Sequence, residues 1–282
     1  MVELPANFTF NQSNLQDFIE CPRRFYLRHV RRLLWPNQEM NSDSENERRL
    51  RLGQIFHRLA QQKVLGFPQE KLQLMLQNQP LEVQTWWENF QSWWEQVESN
   101  ALSGQRYAET SLTCSLNRAQ IVAKYDLLII HPNGSLTIYD WKTVKHPLSA
   151  AKLARHVQSR LYPYVLARAA ANLTHFPEIG PQQIRMVYWF TLEPFNPQQI
   201  QYNSQQYQAD EEYLGHLIFE IIGRTAADFP LTNDEKICAH CIYRTFCDRR
   251  ADLAEAESLD DDSDYPSMIF PEDWEQIGEI FY

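Results

Sequence analysis

Two aspartates and a lysine stand on a pair of apolar runs, AQIVAKYDLLII and SLTIYDWKTV, joined by HPNG. Asp126 lies in the first run, Asp140 and Lys142 in the second. Their β-branched and aromatic content, with Pro132-Asn133-Gly134 between them, predicts the two strands of a hairpin. Asp140 and Lys142 alternate with Tyr139 and Trp141, and side chains at i and i+2 of a strand leave the same face, about 7 Å apart along the backbone. Mg²⁺ takes hard oxygen ligands, so two aspartates can hold it and leave positions open for water and a phosphate oxygen. An ammonium beside the ion favours loss of a proton from that water and steadies the charge developing on phosphorus. The set suits hydrolysis of a phosphodiester. Asp-x-Lys on one strand is by itself a weak motif, met equally on solvated edge strands.

Other residues must be brought to that hairpin. Gly53 and His57 lie four apart in RLGQIFHRLAQQKVL, which reads as a helix, so they share a face. Glycine there permits close backbone packing, and His57 can then reach the same ion. Glu109, in YAETSLTCSLNRAQ ahead of the hairpin, is either a further acidic residue at the mouth of the site or a solvated strand end. Gln158 and Tyr162, in ARHVQSRLYPYVLARAA, share a helix face from which they could contact a nucleic-acid backbone, although Pro163 perturbs the next turn.

Taken in chain order, GxxxH, Asp126, DWKT and QxxxY resemble the RecB-like branch of the PD-(D/E)XK nucleases. Cys21-Pro22 near one end and Cys238, Cys241 and Cys247 near the other resemble its iron-sulfur subgroup, which includes the exonucleases of CRISPR adaptation and AddAB-type nuclease domains. The resemblance covers about residues 10–250. It implies an α/β, restriction-endonuclease-like core, a small mixed β-sheet flanked by helices, with an iron-sulfur staple between the N- and C-terminal parts. It implies Asp126, Asp140 and Lys142 as catalytic residues and His57, Asp126 and Asp140 as ligands of Mg²⁺ or Mn²⁺. Gln158 and Tyr162 become supporting or DNA-binding groups, with Glu109 beside them. Cys21, Cys238, Cys241 and Cys247 would hold a [4Fe-4S] cluster. Ala123 departs from the glycine that the family often has three residues before this aspartate.

Four thiolates are the usual complement of such a cluster, and soft sulfur suits iron-sulfur or Zn²⁺ far better than Mg²⁺. Zinc held by the trio of cysteines with His240, without Cys21, stays open as the alternative. Cys114 reads as a small apolar side chain. An odd number of cysteines, their three-plus-one spacing and the lack of a hydrophobic leader point to a reducing cytoplasm. No run is long enough to cross a membrane.

The length of 282 residues, with 44% hydrophobic, permits one sizeable domain over 1–250, followed by an acidic, flexible tail over 251–282. Periodicity predicts helices near 13–30, 48–65, 149–172 and 205–227, a helical insertion at about 68–100, strands over 107–144 and 183–192, and a polar linker at 37–47. In the insertion, Trp86, Phe90, Trp93 and Val97 make an apolar stripe for a core, while Trp87 and Trp94 would stack on unpaired bases if exposed. The chain has 26 basic and 36 acidic residues, but the tail holds 11 acidic and no basic ones, leaving the remainder near neutral. Arg23, Arg24, Arg28, Arg31 and Arg32, with Arg48, Arg49 and Arg51, either line a channel for phosphates or solvate helix faces. Aromatic residues within the tail make it a docking segment for a helicase, repair or CRISPR-adaptation partner, an occupant of the basic channel, or a solvating tail. No GxxxxGK[ST] motor motif is present. These readings lead to a metal-dependent DNA nuclease, an exonuclease on single-stranded or end-containing DNA. A non-catalytic DNA-binding subunit and an RNA-processing nuclease are the alternatives.

Overall fold

The runs that carry the aspartates fold as the strands their alternation predicts. A computed structural model of the chain describes residues 4–33, 45–97, 102–145, 147–173, 179–239 and 241–249. His240, most of the polar linker and the acidic tail lie outside the described residues. Six strands, β1 (Thr9–Phe10), β2 (Gln105–Leu116), β3 (Ala119–Ile130), β4 (Leu136–Lys142), β5 (Ile184–Phe190) and β6 (Glu193–Gln201), form one mixed sheet. β3 organises it. β2 pairs antiparallel along β3, while β1 pairs parallel at Gln120 and Ile121 and β4 antiparallel from Leu127 to Ile130. β5 then adds parallel to β4, and β6 antiparallel to β5. Asn117 and Arg118, both at positive φ, close the β2–β3 hairpin, as a two-residue turn requires.

Helices cover both faces. Packed on one side are α1 (Gln12–Glu20), α2 (Pro22–Phe25), which runs on into a π-helical turn at Tyr26–Val30, α7 (Val157–Ala169) and α8 (Ser204–Gly223). The other side carries α3 (Glu45–Val64), α4 (Gln69–Leu76) and α5 (Leu81–Val97). The short α6 (Ala150–Leu153) precedes α7, and α9 (Glu235–Ala239) leads to the last cysteines. Among the described residues no helix is long and apolar enough to cross a membrane.

Several expectations need correction. The first helix is broken at Cys21, which ends α1 and begins α2 ahead of Pro22, because proline fits the first turn of a new helix but supplies no N–H to the old one. The expected helix at 149–172 is likewise split, with His156 capping α7, whereas Pro163 lies inside α7 without ending it. β6 escaped sequence reading because Pro194, Pro197 and three glutamines hide its period; such a strand suits the sheet edge.

Trp87 and Trp94 are each 1% exposed, so neither can stack on a base. They belong to an aromatic core between α3, α5 and the sheet, centred on Phe90, whose ring meets Phe56, Trp141 and Trp189 edge-on at 5.3–5.7 Å. We expect Phe90→Ala to destabilise the protein by about 3–5 kcal/mol, the usual effect of emptying a buried aromatic site. Urea unfolding followed by tryptophan fluorescence measures it, and a loss below about 1 kcal/mol would mean that the core recloses around the gap.

Candidate active site

Alternation in β3 slips by one residue at Asp126. Ile121, Ala123 and Tyr125 face the α7 core, and so do Leu128 and Ile130, while Leu127 and Ile129 face the α5 core. β2 slips opposite it, between Leu112 and Tyr107, yet the pairs on both sides stay in register, Ala108 with Leu127 and Thr110 with Tyr125. The residue facing Asp126 is Glu109, at φ 50°, a left-handed conformation that costs an L-residue about 1–2 kcal/mol. On the other edge of β3 the ladder to β4 stops at Leu127–Tyr139. The Asp126 carboxylate takes over there, its Oδ2 accepting the Trp141 N–H at 2.7 Å.

α3 lies over this break. A Cβ on Gly53 would meet Thr143 Oγ1 at 3.2 Å, so the small residue lets the helix approach the end of β4. His57, one turn on, places Nδ1 3.2 Å from Asp126 Oδ1. Ligand atoms of His57, Glu109 and Asp126 all lie within 4.8 Å of one another, the one such group of three among the described residues. Asp140, expected as the third ligand, stands slightly apart. Gln158 Nε2 donates to its Oδ1 at 2.6 Å, and its Oδ2 is 2.8 Å from Lys142 Nζ. Lys142 in turn donates to Gln158 Oε1 at 2.9 Å and lies over the Tyr188 ring. The amide of Gln158 thereby fixes both members of the Asp-x-Lys pair.

Burial alone would lower the His57 imidazole, but the Asp126 carboxylate, aided by Glu109 and Asp140, raises it to about 9. Asp126 is driven up by burial and drawn below its ordinary value by His57, the Trp141 N–H and Lys142. Glu109 is raised by burial and by Asp126, against the pull of Lys124 and His57. Burial, with repulsion from Asp126, raises Asp140 despite Lys142. One imidazole and three carboxylates make a hard donor set that fits Mg²⁺ or Mn²⁺.

Gln158 and Tyr162, expected as supporting or DNA-binding groups, lie inside the fold. Both are buried, and Tyr162 packs edge-on against Tyr125 at 5.3 Å, while its carbonyl accepts the Tyr125 hydroxyl. Neither offers a surface to a nucleic-acid backbone. Sequence reasoning missed Lys124, whose Nζ lies 2.9 Å from Glu109 Oε2, although it is two residues before Asp126 on the same strand. It missed Tyr188 too, for which no sequence signal existed. The arginine channel is thinner than expected, since Arg24 and Arg28 are committed to Asp17 at 2.6 and 2.9 Å, with His29 at 2.8 Å; Arg31 and Arg32 remain exposed.

Cys21, Cys238, Cys241 and Cys247 form no disulfide and are gathered closely enough that they perturb one another. Burial and the neighbouring thiols push Cys247 up to about 11. Cys114 lies elsewhere, packed against the α7 core. Around the thiols the two ends of the domain meet. Phe229 stacks on Phe25 and Tyr26, Arg23 N–H donates to the Pro230 carbonyl, and the Tyr243 hydroxyl donates to the Leu33 carbonyl.

The sequence matches the family described as the PD-(D/E)XK nuclease superfamily over residues 9–248. Among solved structures, one named SSO0001 is similar at 14% identity, covering 86% of this chain and 87% of that one, with a TM-score of 0.41. Another, from Eubacterium rectale and named "putative exonuclease", is similar at 14% identity, covering 76% and 80%, with a TM-score of 0.47. No curated protein matches the chain.

Because His57 is raised to about 9, it carries a proton at neutral pH and must release it to become a metal ligand. We expect Mn²⁺ affinity to rise about tenfold per pH unit between pH 7 and 9, with close to one proton released per ion. In the metal-free protein the same shift contributes folding stability that is complete below about pH 6.5 and lost as pH rises through 9. Calorimetric titrations in buffers of different ionisation enthalpy count the protons, and zero release at pH 7 would remove His57 from the ligand set.

Proposed function

Since the chain belongs to the PD-(D/E)XK nuclease superfamily and is therefore a phosphodiester hydrolase, we propose that His57, Glu109, Asp126 and Asp140 hold its divalent cation and that Lys142 is its catalytic lysine. The observation that carries this reading is the convergence of those groups, from α3 and three neighbouring strands, on the one place where the alternation of β2 and β3 breaks. Nucleases of this family use divalent metals. Such a cation supplies Lewis-acid charge and a water acidified for attack on phosphorus. The chain's own residues do the rest. Asp126 is aimed by the Trp141 N–H and His57, and Asp140 by Gln158. Lys142 Nζ, held by Asp140 and Gln158, is the group that would meet the phosphoryl oxygens as they gain negative charge. Gln158 and Tyr162 act as supporting residues beneath the site.

We further propose the RecB-like, iron-sulfur type, acting on DNA ends or single strands in repair, recombination or CRISPR adaptation, with a helicase or similar partner. Support comes from GxxxH, DWKT and QxxxY in order and from four thiols drawn from both ends of the domain. Zinc held by Cys238, Cys241 and Cys247 with His240 is the alternative at the same thiols.

Asp126→Ala should lose Mn²⁺ binding and cleavage together. Lys142→Ala should keep both metal and DNA binding yet cleave about a hundredfold or more slowly. Single-turnover cleavage of end-labelled and circular substrates, single- and double-stranded, in DNA and RNA, reads this out; an undiminished Lys142→Ala rate would remove the Asp-x-Lys strand from catalysis. Faster cleavage of RNA would instead make it an RNA-processing enzyme, and binding without cleavage in wild type a non-catalytic subunit.

Protein purified without oxygen should be brown, with about four irons and four sulfides per chain. One equivalent of zinc without sulfide would replace the cluster by the zinc alternative.

A further inference from the structure

The three carboxylates of the centre come from three adjacent strands, Glu109 on β2, Asp126 on β3 and Asp140 on β4. The outer two each carry an ammonium. Lys142 meets Asp140 at 2.8 Å, and Lys124 meets Glu109 at 2.9 Å. Asp126, in the middle, is met by His57 at 3.2 Å. The Asp-x-Lys pair on β4 thus has a counterpart across the site, one that spans two strands and so leaves no motif in the sequence.

Lys124 does not face Glu109 in the ladder. Its partner there is Ser111, two residues further along β2, so the contact is diagonal. The left-handed turn of the backbone at Glu109 redirects that side chain from the run of β2, and Lys124 receives it. Both side chains are about four-fifths covered, at 22% and 18% exposure, so the pair is more than a solvated surface contact. A lone glutamate has no reason to hold a strained backbone and an orientation toward Asp126. The pair supplies one.

We infer that Lys124 is a positioning residue, which holds Glu109 in place as the ligand that closes the divalent-cation site on the β2 side. This rests on the metal site proposed above, and it adds to that site a cation with a role distinct from that of Lys142. Lys124 acts through Glu109, whereas Lys142 acts on the phosphate.

Mn²⁺ titration of the full chain, followed by calorimetry and by electron paramagnetic resonance, tests it with Lys124→Met, Lys124→Arg, Glu109→Gln and the double variant Lys124→Met/Glu109→Gln. Lys124→Met should weaken Mn²⁺ binding about tenfold, in the range for groups that orient metal ligands, and Lys124→Arg should restore most of it. The double variant should bind no more weakly than Glu109→Gln alone, since Lys124 has nothing to position once the carboxylate is gone. Unfolding temperatures of the metal-free proteins show whether each variant folds; should Lys124→Met fail to do so, Lys124→Arg against Glu109→Gln carries the comparison. Wild-type affinity in Lys124→Met, or losses that add in the double variant, would overturn the inference while leaving the metal site standing. No Mn²⁺ binding by wild type would bring down the site itself.

Discussion

Like charges crowded away from water govern this structure. Three carboxylates within one small, partly covered space repel strongly, because even at an effective dielectric constant near 20 two unit charges 4 Å apart interact by about 4 kcal/mol. The fold answers by interleaving, with a cation against each anion: Lys124 with Glu109, His57 with Asp126, and Lys142 with Asp140. A divalent ion entering this set replaces the proton on His57 and shares Glu109 and Asp140 with the lysines that hold them. Paired in this way, the three carboxylates can stand as close together as the proposed cation site requires.

Backbone geometry follows from that arrangement. With Ile121, Ala123 and Tyr125 on the α7 side, alternation sends Asp126 to the side of α3, and the slip there leaves Leu127 and Ile129 on that side as well. Glu109, left-handed, takes up the slip on β2 while register survives on both sides. Rigid surroundings make the distortion tolerable. The aromatic core around Phe90 backs β4 and β5 with Trp141 and Trp189, and Tyr125 and Tyr162 brace β3 against α7.

Much of the centre could be read from the sequence because its groups are local. Asp140 and Lys142 are two apart on a strand, Gly53 and His57 four apart on a helix, and both spacings translate directly into shared faces. Gln158 was picked out, but its burial beneath Asp140 and Lys142 was not, since depth depends on how α7 crosses the sheet. The Glu109–Lys124 pair joins residues 15 positions apart, through a diagonal that exists only once two strands align. Trp87 and Trp94 show the complementary failure: one helix face is apolar by periodicity, but α5 is enclosed on more than one side, so the second pair is interior as well. The slip in IVAKYDLLII could not be read from the letters, because Leu127 to Ile130 are four apolar residues in a row and carry no phase until the two cores are seen.

The meeting of the two ends has a consequence for how the chain is made. Tyr243 reaches Leu33, Pro230 reaches Arg23, and Phe229 fills the space between Phe25 and Tyr26. At a synthesis rate of about 5–20 residues per second, the N-terminal helices leave the ribosome roughly 10–40 s before their partners exist. During that interval Phe18, Phe25 and Cys21 lack their final cover, and the buried Arg24–Asp17 pair lacks the segment that seals it. The first thirty residues are therefore the last to be finished, and a nascent chain halted before Phe229 would present them to chaperones and proteases with β2 to β6 already synthesised.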